Sequence, residues 1–165
     1  MTGRLMNVQS MNPGGQRGMA LLVSLVFLLL LTLIGISSMQ NATLQEKMAS
    51  SVTLRNQSFQ NAEAVLRIGE SVVQMSTFTL PVCSGTTQCA PPAESATLTT
   101  AGVNATSGVT WVGVANGFYG VQNIGASLNA VNVPSNTSAT LYRITAVAIV
   151  GNNVRSVVES IYAKY

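Results

Sequence analysis

Residues 19–36 read MALLVSLVFLLLLTLIGI and follow directly on Gly18. No charged side chain occurs between Arg17 and Glu46, and an apolar run of ~20 residues is what a helix needs to cross a hydrocarbon core. The stretch therefore reads as a membrane segment. Ahead of it, MTGRLMNVQSMNPGGQRG carries Arg4 and Arg17 and no acid. Positive charge beside a span holds that end in the cytoplasm, so the chain beyond Ile36 is expected on the opposite side. A cleaved secretory signal has a similar outline. Against it, the run is longer than an ordinary signal core, and only weak Ser-rich cleavage candidates precede Glu46. The span is expected to stay in the mature protein.

Past Gly35 the pattern turns periodic. Leu44, Met48, Val52, Phe59, Ala62, Leu66, Gly69 and Val73 recur at steps of three, four and seven, which marks one helical face. Glu46, Lys47, Glu63, Arg67 and Glu70 lie on other faces, and Glu63 precedes Arg67 in the favourable i, i+4 order. No Pro lies between Gly35 and Pro81. The pattern predicts one helix from Met19 to about Thr77, roughly 85 to 90 Å long, with Gly35 as its softest point. Its first half belongs in lipid and its second half against a domain.

Composition narrows the function. The chain has 165 residues, so little beyond one small domain remains after the helix. Charged residues make up 8%, His and Asp are absent, and polarity comes from Ser, Thr, Asn and Gln. The formal charge of +3 loses two positive residues once those ahead of the span are set aside, leaving six against five. No basic patch of the kind that releases counterions from nucleic acid is present. Without His the commonest acid/base and metal ligand is missing. The five Glu stand apart from one another, with no calcium or zinc spacing. The expectation is no enzyme, no metal and no cofactor. A catalytic reading would need Ser with Lys, and neither Lys47 nor Lys164 sits in a motif for that.

The remaining residues read as a head domain. Pro81 ends the helix. Cys83 and Cys89 follow, enclosing SGTTQ, and an even cysteine count beyond a span points to a disulfide in an oxidising compartment. Two free buried thiols are the alternative, disfavoured by the turn-like filling. Residues 90–108 show no sustained period and read as an irregular connection. Val109–Ala115 and Phe118–Ile124 read as strands around Asn116-Gly117, a type I′ hairpin signal, although Gly113, Gly120 and Gly125 weaken both. Leu141–Val150 and Val154–Ala163 are the strongest strand pair, turned by Gly151-Asn152-Asn153. Tyr142, Ile144, Ala146, Ala148 and Val150 share one face, with Arg143 and Thr145 on the other. Arg155, Val157, Glu159 and Ile161 share a face of the second strand. One sheet face is expected to cover the helix and the other to be half solvated. Trp111 is expected in the core rather than at an interface. Asn-x-Ser/Thr triplets such as those at Asn41, Asn104 and Asn136 match a glycosylation pattern that so Asn- and Ser-rich a chain produces by chance.

The segment RGMALLVSLVFLLLLTLIGISSMQNATLQEKMA, residues 17–49, resembles the N-terminal module of type IV pilins and is closest to PilX-type minor pilins. YRITAVAIVGNNVRSVVESIYAKY, residues 142–165, resembles the closing hairpin of such proteins. The resemblance implies an α+β pilin fold, a long N-terminal helix packed on a small antiparallel sheet. It divides the chain into a leader at 1–18, a helix at 19–78 and a head at 79–165. Within the helix, 19–40 forms the transmembrane and filament-core part, and 41–78 packs on the head. It implies that a prepilin peptidase cuts between Gly18 and Met19 and methylates the Met19 amine. Partners would be other minor pilins, the major pilin, an inner-membrane assembly platform and a tip adhesin. The protein would sit in the inner membrane with its head in the periplasm, then in the pilus at the cell surface. Most pilins carry Glu at the fifth mature position, to pair with the amino terminus of the subunit above; here that position is Val23. Its absence suits a subunit at the filament tip, one that primes assembly and supports adhesion and twitching motility. The competing readings are a minor pseudopilin of type II secretion, whose tip subunits carry larger heads, and a signal-anchored periplasmic binding module.

Overall fold

The computed structural model describes residues 17–165. The expectations for residues 1–16, Arg4 included, lie outside the described residues. The chain divides into two compact units, residues 1–48 and 49–165.

The described part of the first unit is helix. It belongs to α1 (Arg17–Gln74), which continues into the second unit. Two hydroxyls interrupt its apolar run, and both are satisfied locally: Ser24 donates to the Leu21 carbonyl and Thr32 to that of Leu29, each at 2.8 Å. This back-bonding lets small polar side chains sit in a span without an orphaned donor.

The second unit is an α+β domain. After α1 come α2 (Gly85–Cys89), a 3-10 turn at Ala93–Ala96, and five strands: β1 (Gly102–Val103), β2 (Thr110–Val114), β3 (Gly117–Ser127), β4 (Ala139–Val150) and β5 (Val154–Lys164). The strands form one antiparallel sheet in the order β1-β2-β3-β4-β5, a plain meander. The closing hairpin turns at 151–153, where Gly151 and Asn153 take the positive φ that their residue types tolerate.

The second half of α1 packs on one sheet face through Ala62, Val65, Val73 and the flanking Leu66, against Tyr119, Tyr142, Ile144 and Ala146. Each large side chain fully buried there contributes about 1.5–3 kcal/mol. The buried stripe differs from the apolar one. Val52 and Phe59 are exposed, whereas Ser58 is fully buried and hydrogen-bonded to Ser156 of β5 at 2.6 Å. Contact is made where the helix is thin. At Gly69 an added Cβ would stand 2.7 Å from Cγ2 of Ile144, so the helix approaches β4 more closely than a side chain permits.

The other sheet face is covered more than the strand alternation predicts. Val109, Trp111 and Val147 form a second core there, with Leu98, Phe118 and Ile149 around it. Trp111 is only 2% exposed, on the face away from α1. It lies over Gly120, where a Cβ would collide with Val109 and the indole ring. The covering segment, residues 83–98, has little apolar bulk and is held by polar contacts described below.

The first hairpin also departs from expectation. Its loop is Ala115-Asn116, because Gly117 already pairs with Val114. Neither Asn116 nor Gly117 has a positive φ, so the turn is not type I′. Gly117 is needed for another reason: a Cβ there would run into the Val147 carbonyl of β4.

Candidate functional site

The surface most unlike that of an ordinary soluble domain is the first half of α1. Its 18-residue apolar window has a mean hydropathy of 2.9 and none of it is buried. Gly18 and Met19 fall in the first turn of α1, with Met19 66% exposed and no atom within 4 Å of a Cβ built on Gly18. Val23 is one turn further on and 47% exposed. The first turn contains no acidic residue, and the first carboxylate after it in sequence is Glu46. A positive amine created at Met19 would sit at the end of the helix whose dipole disfavours it, with no carboxylate of its own first turns to offset it. The helix places Gly18, Met19 and Val23, the residues singled out in the sequence, on one exposed end.

Residues 17–67 match the PilX N-terminal family model. That module takes in the apolar run, the Gly18–Met19 junction, Val23 and the first part of the segment that packs on the head. The match supports a PilX-type minor pilin of type IV pili. No curated protein and no solved structure matches the chain.

In the head, Cys83 and Cys89 are joined in a disulfide that closes α2, with Cα atoms 5.3 Å apart. Three successive carbonyls at the end of this loop are held by side chains from the sheet. Gln122 Nε2 donates to Gln88 O at 2.6 Å and Ala90 O at 3.1 Å, and Arg143 Nη1 donates to Cys89 O at 2.7 Å. Further along, Glu94 accepts from the Trp111 indole N–H at 3.1 Å and from the Ser107 hydroxyl. Arg155 Nη1 donates to Ser95 O at 3.0 Å. Residues 83–98 thus form a strap over the second core, closed on itself by the disulfide and tied to the sheet by several polar links. Its backbone acceptors are met from β3, β4 and β5, as burial requires.

Sequence reasoning missed these strap residues, because Gln122, Arg143 and Glu94 belong to no motif. It also missed Lys164, whose ammonium donates to Met75 O at 2.6 Å and Phe78 O at 2.9 Å. That contact satisfies carbonyls just beyond the end of α1 and places a cation where the helix dipole favours one. Among the described residues no group of three His, Cys, Asp or Glu gathers as a metal site. Glu94, Arg143, Arg155, Glu159 and Lys164 each make hydrogen bonds within the head.

Proposed function

We propose that the chain is a minor pilin that helps prime type IV pilus assembly and forms part of the tip complex, supporting adhesion and twitching motility. The observation that carries this is the exposed apolar helix of the PilX N-terminal module with Val at position 23. Before assembly the 19–36 stretch anchors the protein in the inner membrane with its head in the periplasm. Prepilin peptidase cuts after Gly18 and methylates Met19, and the inner-membrane platform then moves the apolar helix from lipid into the filament core. Both environments exclude water, so the same surface suits each.

Within the filament a buried amine needs a carboxylate. A subunit that carries Val23 has none to give to a subunit above it. It can still receive one at Met19 from the subunit below, and that asymmetry fits a place at the tip beside the other minor pilins, above the major pilin and under an adhesin. The role is structural rather than catalytic.

Replacing Gly18 with a bulky residue tests the reading. The expected result is a protein longer by its uncut leader, retained in the membrane and absent from sheared pili. A variant that is processed normally and still enters pili sinks the proposal.

A further inference from the structure

β2 and β3 join through the loop Ala115-Asn116, and Val114↔Gly117 is the last pair of their ladder. Asn116 is exposed at this end of the sheet. Asn116-Gly117 is the one Asn-Gly pair in the sequence, since every other Asn precedes a residue with a side chain. The difference decides the reactivity of the amide. A backbone nitrogen reaches the side-chain carbonyl carbon of the Asn before it most easily when its own Cα carries no Cβ to obstruct the approach, and only glycine meets that condition. The sheet does not allow this glycine to be exchanged, because a Cβ at position 117 would run into the Val147 carbonyl of β4. A reactive pair is thus kept at the surface for a packing reason. Other asparagine amides of the head are tied down: Asn104 Oδ1 accepts from the backbone N–H groups of Thr106 and Ser107, and Asn123 Nδ2 donates to Leu80 O. Among the described residues no such bond holds the Asn116 side chain. A hollow lined by Gln57 and Asn61 of α1 opens beside the loop, which gives water access to it.

We propose that Asn116 is a site of spontaneous covalent modification in the folded head, with the Gly117 nitrogen as nucleophile and water as co-reactant. The Gly117 nitrogen bonds to Cγ of Asn116, the Cγ–Nδ2 bond breaks, and the departing nitrogen takes the Gly117 amide proton and leaves as ammonia. Water then opens the resulting imide ring. Opening at the bond just formed restores the original chain path and gives aspartate; opening at the bond to the backbone carbonyl gives isoaspartate. Attack requires the Gly117 N–H to leave the ladder, and the pair beside a loop is where a ladder opens at least cost. Either product brings a carboxylate into a chain that has no Asp. Isoaspartate also adds a carbon to the backbone of the loop, which displaces Gly117 from its fit against the Val147 carbonyl.

The test uses the full-length protein in detergent, incubated at neutral pH in heavy-oxygen water, with Trp111 emission followed to show that the head stays folded. Chymotryptic peptides are then read by mass, and isoaspartate is separated from aspartate by chromatography. The expected result is that the peptide containing Asn116 takes up solvent oxygen at least about tenfold faster than a peptide containing any other Asn, with isoaspartate in excess. Asn116→Gln lengthens the side chain so that ring closure would need a larger ring; it abolishes the uptake and leaves the thermal midpoint unchanged. Uptake at Asn116 no faster than at the other asparagines overturns the proposal. So does uptake that appears only when denaturant unfolds the head, which would mean that the ladder holds Gly117 too firmly to react, or uptake that persists in the same peptide of Asn116→Gln. None of these outcomes depends on the pilin reading.

Discussion

Gly69→Ala sets two opposing effects against each other at one atom. In an exposed helix interior the change is favourable by about 1 kcal/mol, because Ala forfeits less backbone freedom. Here the new methyl would stand 2.7 Å from Cγ2 of Ile144 and 3.2 Å from Cδ2 of Tyr119, against a comfortable carbon separation of about 3.5–4.0 Å. Ile144 is fully buried and Tyr119 is 8% exposed, so neither side chain has free space to swing into. Overpacking of this kind costs about 1–3 kcal/mol. The difference leaves Gly69→Ala destabilised by about 1 kcal/mol, a fall in Tm of about 4 °C for a domain of this size. Thermal unfolding of the full-length protein in detergent, followed by the near-UV signal of the head, measures it. Ile144→Leu removes Cγ2 while keeping the side-chain volume, so it supplies the second arm of a double-mutant cycle. The double variant should be more stable than the sum of the single effects by at least about 0.5 kcal/mol. If Gly69→Ala raises Tm, or the cycle shows no coupling, the helix does not approach β4 as described and the reasoning fails.

Two further expectations concern the strap. Glu94→Ala leaves the indole N–H of the buried Trp111 without its acceptor, which should destabilise the head by about 1–3 kcal/mol and alter Trp111 emission, with the helical circular dichroism of α1 retained. Replacing both Cys83 and Cys89 by Ser opens a loop whose cysteines are 6 positions apart; chain entropy for so short a loop gives a loss of roughly 2 kcal/mol. Denaturant unfolding measures it, and a loss above roughly 5 kcal/mol would mean that the disulfide does more than close its own loop.

The long helix, the final hairpin and the placement of Trp111 in a core were all legible because each is written in local pattern: an apolar run, period-two alternation, a turn of Gly and Asn. The features that escaped are non-local. The face of α1 that meets the sheet includes Ala62, Leu66, Gly69 and Val73 of the periodic set, but hydrophobic periodicity also selected the exposed Val52 and Phe59 and passed over the buried Ser58 and Val65. Glycine has several uses, and only the sheet reveals which applies. Gly117 looked like the second residue of a turn, yet it is required where β3 passes under the Val147 carbonyl. The strap had no period to detect, since side chains 30 and more positions away secure it, Gln122 at Gln88 and Arg155 at Ser95 among them. At the amino-terminal end the sequence supplied Gly18, Met19 and Val23. The structure added that they lie in the first two turns of α1, with Met19 and Val23 exposed.

The meander order of the sheet bears on how the head is completed as the chain is made, helix first. Every strand pairs with the one made just before it, so each hairpin closes over a short sequence distance and the sheet grows without waiting for distant partners. Lys164 acts over a longer span. It reaches from the last strand to Met75 and Phe78, 89 and 86 positions earlier, and Ser160 does the same toward Glu70. The carboxyl end of α1 therefore stays unlatched through most of the chain's synthesis and is locked only by the final strand, so a truncated or stalled chain carries an unfinished helix terminus.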